Sequence, residues 1–255
     1  LANLADAMGA DRLATGHYAR LEQGPDGMQL FRAADHKKDQ SYVLFPVAPE
    51  VLDKCLLPIG NLQKSQVRKI AEEAELPVFS KPDSQEICFV PSGDYRDYLE
   101  KNGGLGVPGR IIGPEGEELA RHSGHMGFTR GQRRGLGFAS TRPMYVIDID
   151  PDSGDVFVGP RQDTGSAWAE VDGFQTFGES DTDRPLSGEA EVQFRSAPGG
   201  TPAMVEQTNP SAVRVQFLGS AESVNPGQGL AVYRGDRLVG GGWIRKAGHA
   251  VPFPA

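Results

Sequence analysis

The chain has 255 residues, a formal net charge of -8 and 38% hydrophobic residues. The hydrophobic content argues against global disorder. The negative net charge argues against a broadly basic nucleic-acid groove but is compatible with a local basic patch. Glycine contributes 33 residues and proline 19, an excess that favours turn-rich β structure. No apolar run approaches the roughly 18 residues of a membrane span. The two cysteines, Cys55 and Cys88, form no disulfide framework or metal-binding pair, which indicates a reducing, cytoplasmic compartment.

A helix and a short strand open the chain. The apolar spacing of residues 1–9 predicts a helix closed by Gly9, and residues 12–15 predict a strand that ends at Gly16 and His17. Ligands collect at the carboxyl ends of strands in open α/β sheets. These two residues are therefore candidates for a binding site, and a purely structural histidine at position 17 is the equally open alternative.

A hairpin and a polar run follow. Residues 19–21 and 28–32 flank a turn with the sequence Gln-Gly-Pro-Asp-Gly and predict a β-hairpin. The polar run 37–41 is expected to be exposed to solvent. Within it, Lys38 is either a solvated surface charge or a phosphate contact.

Two helical segments and a cysteine-bearing run complete the first part. Residues 49–57 predict a short helix with Cys55 in the core, and residues 63–75 predict the clearest amphipathic helix of the chain. Residues 80–90 place a Lys-Pro-Asp-Ser turn signal before a short apolar run that contains Cys88. A packed core cysteine is the ordinary interpretation, and a thiol tuned by its polar neighbours is the alternative.

Beyond the glycines at 103–106 the pattern changes to short strands. Residues 109–112, 144–149 and 155–158 predict strands, and between them residues 125–138 contain four glycines and three arginines. We call residues 125–138 the glycine–arginine stretch. Glycine lets a backbone approach a ligand closely and arginine matches phosphate geometry, whereas a turn-rich loop with solvated arginines is the plainer alternative.

The last part predicts a small antiparallel barrel. Four strands are expected, at residues 190–195, 213–218, 229–234 and 238–244. The acidic stretch 170–191 is expected to be a surface connection and the edge of a sheet, without a role in RNA contact. His122 and His125 are three residues apart and have no further ligands nearby, so no metal site is expected.

Six motifs in one order form a specific pattern. They are Ala14–Arg20, Lys38–Tyr42, Lys81–Phe89, Thr129–Gly137, Asn225–Gln228 and Gly240–Gly242. In this order and spacing, over roughly residues 1–245, the chain resembles the tRNA-specific 2-thiouridylases, which convert the wobble uridine of certain tRNAs to 2-thiouridine.

The resemblance implies three domains. They are the C-terminal part of a Rossmann-like α/β ATP-pyrophosphatase domain over residues 1–91, a small central α+β tRNA-binding domain over 92–161, and a C-terminal antiparallel β-barrel over 162–255.

The resemblance also implies the chemistry of a cytoplasmic tRNA-uridine 2-sulfurtransferase with no membrane partner. In that family ATP, with Mg²⁺ expected, adenylates the uridine carbonyl oxygen. A cysteine persulfide, supplied by a sulfur-carrier protein, then attacks the activated carbon. A second cysteine resolves the persulfide by forming a disulfide, and AMP leaves.

The site residues of the family are assigned by motif. Cys88 matches the persulfide-bearing cysteine and Gly16 a glycine that contacts ATP, while no metal ligand is implied. The tRNA-contacting positions match seven residues: His17, Lys38, Asp39, Gln40, Arg195, Ser196 and Gln228. The serine among them stands where the family often has an aromatic residue. Lys81 is a candidate source of the positive field that would favour the thiolate of Cys88.

Two parts of the family pattern have no counterpart here. The sequence contains no Ser-Gly-Gly-x-Asp-Ser phosphate loop and no second catalytic cysteine, and it starts at Leu1 rather than at a methionine. We therefore expect the full-length protein to be the enzyme and this chain alone to be unable to adenylate a substrate. The alternatives are a catalytically inactive tRNA-binding module with Cys88 as a packing residue, and a cysteine hydrolase that uses Cys88 with His17.

Overall fold

The structure, a computed structural model, describes residues 1–25, 27–77, 95–177, 185–196, 199–222 and 224–248. These residues divide into two compact units. Within the described ranges, the first unit comprises residues 1–77, 167–219 and 226–248, and the second comprises residues 95–166 and 220–225.

Short helices and many strands make up the chain. The helices are α1 (Ala2–Ala7), α2 (Pro49–Leu52), α3 (Lys64–Glu73) and α4 (Tyr95–Asn102). The strands are β1 (Leu13–Ala14), β2 (Ala19–Gly24), β3 (Gly27–Arg32), β4 (Cys55–Leu56), β5 (Gly109–Ile112), β6 (Glu118–His122), β7 (Tyr145–Ile149), β8 (Val156–Gly159), β9 (Gly165–Thr176), β10 (Ser187–Gln193), β11 (Thr201–Asn209), β12 (Ala212–Glu222), β13 (Gly229–Arg234) and β14 (Arg237–Gly248).

The predicted amphipathic helix at 63–75 is confirmed as α3. Gln63 and Gln66 form a reciprocal capping box at its start, which satisfies backbone donors that the first turn leaves free. The helix prediction for 49–57 is right only for α2. Cys55 and Leu56 form β4, which pairs in parallel with β1. The pairing is long-range, and the apolar run Cys-Leu-Leu alone does not distinguish a buried strand from a buried helix.

The C-terminal strands close into a six-stranded barrel. Its spatial order is β13-β10-β11-β12-β9-β14, and β14 pairs back to β13. Closure leaves no free sheet edge among these strands. The inward-facing side chains are fully buried, among them Val192, Val215, Val232 and Ile244.

The predicted surface connection and sheet edge over 170–191 is wrong at both ends, since residues 187–191 belong to β10, which lies between β13 and β11; residues 178–184 lie outside the described residues. Residues 170–176 belong to β9, which lies between β12 and β14 in the sheet and is not an edge. Ala169 and Val171 are both 0% exposed, and the acidic Glu170 and Asp172 between and after them pair with Arg245 on β14. Because so many residues in this stretch are acidic, the alternation of buried and exposed side chains that marks a half-buried strand was not recognised.

The hairpin formed by β2 and β3 extends the sheet of the barrel. Leu30 in β3 pairs with Leu238 in β14, and both are 0% exposed. The core around them combines residues from both parts of the first unit, including Phe45 and Tyr233. A segment near the start of the chain and the last strand of the barrel therefore form one packed body.

The second unit contains a four-stranded sheet in the order β6-β5-β8-β7. Ile111, Val146 and Val156 form its core together with Leu136. Leu136 belongs to the glycine–arginine stretch, and Phe128 and Phe138 of the same stretch pack against this core, so three apolar side chains anchor the stretch. In the part of the chain that the structure describes, no helix has the length and apolar character needed to cross a bilayer.

Candidate nucleic-acid interface

The nine predicted site residues divide into one outside the described ranges and eight inside the first unit. Cys88 lies outside the described residues, as does Lys81. The other eight fall on loops next to β1, β3, β10 and β13. The described part of the site is therefore built from these loops.

Gly16 and His17 lie in the loop that follows β1, separated from the strand only by Thr15. Gly16 is exposed, and a Cβ atom added there meets no other atom within 4 Å. The ring Nδ1 of His17 lies 2.9 Å from the Thr15 hydroxyl, a hydrogen bond that fixes the orientation of the half-buried ring. A predicted ATP contact and a predicted tRNA contact thus lie side by side at a strand end with open space beside the glycine.

Two reciprocal hydrogen bonds join the His17 loop to the Lys38–Gln40 segment. The Gln40 backbone N–H donates to the Tyr18 carbonyl oxygen at 2.7 Å. In return the Tyr18 N–H donates to the Gln40 Oε1 atom at 3.0 Å. Tyr18 is 7% exposed, so the neighbouring His17 is held against a buried anchor.

Asp39 organises the turn on which Lys38 sits. Its Oδ1 atom accepts hydrogen bonds from the backbone N–H groups of Ala33 at 2.9 Å and Ser41 at 3.1 Å. Its Oδ2 atom accepts from the Ser41 hydroxyl at 2.9 Å. The expectation that residues 37–41 are exposed is wrong for Asp39, whose side chain is 2% exposed, and for Ser41, which is fully buried.

A buried arginine completes the charge balance of this turn. Arg32, the last residue of β3, lies 3.3 Å from Asp39 Oδ2, 2.7 Å from Gln193 Oε1 and 2.6 Å from Glu191 Oε1. Its guanidinium carbon lies 3.7 Å from the centroid of the Tyr233 ring. Arginine suits such a place because its planar fork donates in several directions while its face stacks on an aromatic ring.

Tyr233 closes the network from the barrel side. Its hydroxyl lies 2.9 Å from the Ser41 hydroxyl, and burial raises its pKa well above the ordinary value for a tyrosine. The ring therefore stays neutral across the physiological range. We call Arg32, Asp39, Ser41, Glu191, Gln193 and Tyr233 together the Arg32 network.

Gln193 connects the Arg32 network to the next predicted tRNA contact. Its amide Nε2 donates to the backbone carbonyl oxygen of Arg195 at 3.0 Å. Arg195 and Ser196 are exposed, and the Arg195 guanidinium lies 5.5 Å from the ring centroid of Phe194. A fully buried amide thus holds the backbone of an exposed cation.

Gln228 precedes β13 and is held by its backbone. The Ile244 N–H donates to the Gln228 carbonyl oxygen at 2.8 Å. In the adjacent residue, the Gly229 carbonyl oxygen accepts from the Tyr42 hydroxyl at 3.0 Å, and a Cβ atom at this glycine would lie 2.3 Å from Phe45 Cε1. Only glycine at position 229 allows Tyr42 and Phe45 to pack so closely beside Gln228.

The structure thus brings the predicted loops together through a chain of hydrogen bonds from Tyr18 to Arg195. Apart from Asp39, the predicted site residues include none of the buried members of the Arg32 network. Arg32 and Gln193 are 161 residues apart in the chain, and no local pattern marks either of them. The assembly presents basic and amide groups to solvent, an arrangement that suits phosphate and base contacts.

The glycine–arginine stretch forms a second basic surface, in the second unit. Three glycines in it have positive φ angles, and two of them, Gly135 and Gly137, line an open groove together with Arg133, Ser140 and Arg142. Arg130 is held by an ion pair with Asp148, whereas Arg133 and Arg134 are exposed.

Cys55 has the character of a structural thiol. It is 8% exposed, it is a free cysteine, and burial raises its pKa. A buried thiol with a raised pKa is a poor nucleophile at neutral pH. The prediction that Cys55 belongs to the core is confirmed.

Three domain families match successive parts of the chain. Residues 1–92 match the tRNA methyl transferase HUP domain, residues 96–160 the tRNA methyl transferase PRC-barrel domain, and residues 176–244 the aminomethyltransferase beta-barrel domain. The chain is therefore a protein with a Rossmann-like HUP domain followed by two β domains. This confirms the predicted fold class.

Relatives over nearly the whole chain carry one name. A tRNA-specific 2-thiouridylase MnmA of Rhodospirillum centenum is 43% identical over 250 residues, covering 94% of this chain and 63% of the relative. Proteins of the same name from Carboxydothermus hydrogenoformans and Rickettsia felis are 38% and 39% identical, with 66% and 67% of their lengths covered. The chain belongs to the tRNA-specific 2-thiouridylase family, and it spans about two thirds of the length of these relatives.

Proposed function

We propose that the full-length protein is an ATP-dependent tRNA-uridine 2-sulfurtransferase that thiolates the wobble uridine of tRNA. The observation that supports this most directly is the hydrogen-bonded chain from Tyr18 to Arg195. It joins loops that the family pattern assigns to tRNA contact although they are far apart in sequence. Such convergence is expected of one binding surface.

Each described residue has a role that suits its environment. Arg195 is exposed and contacts a phosphate or stacks on a base, as arginines do in single-stranded RNA loops. Lys38 contacts the RNA backbone from the turn that Asp39 holds. His17 and Gln228 present polar side chains at two flanks. A wobble uridine becomes accessible when it leaves the anticodon stack, so the surface binds an opened loop.

A separate basic surface would explain how an acidic protein binds RNA. The central domain, over residues 92–161, contributes the groove of the glycine–arginine stretch, with Arg133 and Arg134 as phosphate contacts. A few well-placed cations suffice for RNA affinity in a chain whose net charge is -8.

ATP and sulfur enter at the strand-end side of the first domain. The open space beside Gly16 fits a nucleotide approaching the backbone, and bound ATP, with Mg²⁺, supplies the adenylyl group that activates the uridine carbonyl. Cys88 accepts sulfur as a persulfide from a sulfur-carrier protein in the cytoplasm. Its thiolate form is the reactive one, and Lys81 is the nearest cation in sequence that favours it.

The test is thiolation of tRNA by the full-length protein carrying Cys88→Ser, with Cys55→Ala as the matched control. We expect the first variant to lose 2-thiouridine formation and to keep tRNA binding, and the second to retain both. Thiolation by Cys88→Ser would overturn the assignment of the persulfide. If the wild-type protein binds tRNA but forms no 2-thiouridine, the inactive binding module becomes the correct description.

A further inference from the structure

We propose that Arg32 is a positioning residue that sets two separate tRNA-binding segments, Lys38–Gln40 and Arg195–Ser196, in one fixed arrangement. The proposal rests on the proposed function, because it assigns tRNA contact to these segments. Arg32 itself is 6% exposed. It therefore acts on RNA only through the segments that it holds.

The first segment that Arg32 holds is the turn that contains Lys38. Arg32 binds Asp39 at 3.3 Å, and the same carboxylate accepts three hydrogen bonds from Ala33 and Ser41. These bonds fix the backbone on both sides of Lys38 and Gln40. Moving the guanidinium would leave a carboxylate that is 2% exposed without its countercharge, which is strongly unfavourable in a buried site.

The second segment that Arg32 holds is the backbone of Arg195. Arg32 binds Gln193 Oε1 at 2.7 Å, and the amide nitrogen of the same side chain donates to the Arg195 carbonyl at 3.0 Å. An amide has one accepting and one donating end, so the contact to Arg32 dictates which way Gln193 faces. The guanidinium therefore orients the donor that holds Arg195.

Tyr233 restricts the Arg32 guanidinium to one position. Its ring lies 3.7 Å from the guanidinium carbon, and its hydroxyl is fixed by Ser41 at 2.9 Å. Glu191 occupies the remaining side at 2.6 Å. A lysine in place of Arg32 would keep the charge, but its three N–H donors sit on a single nitrogen atom and cannot reach all these partners at once.

The deciding variant is Gln193→Glu. A carboxylate at this position keeps an acceptor for Arg32 and removes the N–H that holds the Arg195 carbonyl. The matched control is Gln207→Glu, because Gln207 on β11 also bridges two backbone groups, those of Leu186 and Pro210. It makes no contact with the Arg32 network in the described residues.

Filter binding of tRNA to the full-length protein is measured for both variants, alone and combined with Arg195→Ala. We expect Gln193→Glu to weaken binding about tenfold, the size of one charge-assisted contact, and Gln207→Glu to leave it unchanged. For Gln193→Glu we also expect the magnitude of the slope of log affinity against log salt to fall by about one. In the Arg195→Ala background Gln193→Glu should have no further effect, since the group that it positions is gone.

The two possible failures have different signatures. If wild-type protein does not bind tRNA, the proposed function fails and this inference fails with it. If wild-type protein binds tRNA, but Gln193→Glu weakens binding equally with and without Arg195, the network is only structural and the positioning role is wrong. Unchanged binding by Gln193→Glu also overturns the positioning role while the proposed function stands.

Discussion

The Arg32 network of the first unit and the glycine–arginine stretch of the second unit both concentrate arginine chemistry, but they hold it in opposite ways. Arg32 is 6% exposed and has three polar partners and an aromatic one. Arg133 and Arg134 are exposed, and no ion pair involves them within the described ranges. One region fixes its cation for the protein's own segments, and the other leaves its cations available to a ligand.

The difference shows that the number of arginines in a stretch does not predict how each one is used. Burial turns an arginine into a framework element, because a desolvated charge must be paired and hydrogen-bonded. Exposure leaves it as a ligand contact with little influence on folding. Substitutions in the two regions should therefore separate into effects on stability and effects on RNA binding.

The largest effect is expected from Arg32→Gln. Removing the guanidinium leaves Asp39 buried without a countercharge, so we expect the free energy of unfolding to fall by about 3 kcal/mol. Urea unfolding followed by tryptophan fluorescence measures this, since Trp168 and Trp243 lie on β9 and β14 of the same unit. Arg32→Lys should recover part of the loss. A loss below about 1 kcal/mol for Arg32→Gln would contradict the framework role.

The next effect concerns the packing that holds Gln228. In Gly229→Ala the new Cβ would lie 2.3 Å from Phe45 Cε1, so overpacking should cost about 2 kcal/mol in the same urea experiment. The control is Gly219→Ala on β12, where an added Cβ meets nothing within 4 Å. It should change stability by no more than about 0.5 kcal/mol. Equal losses in the two variants would show that the close approach of Phe45 is not limiting.

A smaller effect, confined to the second unit, depends on pH. Burial lowers the pKa of His122, so the folded state binds this proton less tightly than the unfolded chain does. Stability is therefore complete above the unfolded pKa of about 6.5 and declines as pH falls from there towards the lower folded pKa.

Amide hydrogen exchange of strands β5 to β8, measured from about pH 7.5 down to about pH 5, covers the range around that pKa. It reports on the second unit directly, whereas both tryptophans lie in the first unit and would not. We expect His122→Asn to flatten the decline and His125→Asn to keep most of it. A decline that persists unchanged in His122→Asn would assign it to another group.

The smallest effect on stability is expected from Arg133→Ala combined with Arg134→Ala. Because both side chains are exposed, unfolding should change by no more than about 0.5 kcal/mol. The slope of log affinity for tRNA against log salt should fall by about two, one for each lost phosphate contact. Arg121→Ala, which removes an exposed arginine paired with Glu118, is the control and should leave the slope intact.

Local signals predicted the local structure well. The hairpin at 19–32, helix α3 and strand β13 follow from turn residues, apolar periodicity and β-branched content, and each agrees with the structure. The strands β4, β6, β9 and β11 were not recognised. Their identity depends on partners elsewhere in the chain, and in β9 the outward-facing acids dominated the composition.

The site was predictable only where motifs carry it. The family pattern assigned tRNA contact to Lys38 and Arg195, but it gave no reason to connect them. Arg32 and Gln193 became visible through burial and hydrogen bonding alone. Polar side chains are expected at the surface, so a buried arginine has no signature in a single sequence.

The pairing of β3 with β14 has a consequence for biosynthesis. The Ser41 hydroxyl has no partner until Tyr233 is added to the growing chain 192 residues later. Strand β14, the partner of β3, is the last of the described strands in chain order. While the ribosome is still translating the barrel, the β2–β3 hairpin has no partner strand and Arg32 has no Gln193. An unfinished chain therefore lacks the assembled Arg32 network, and contacts of such large sequence separation are slow to form.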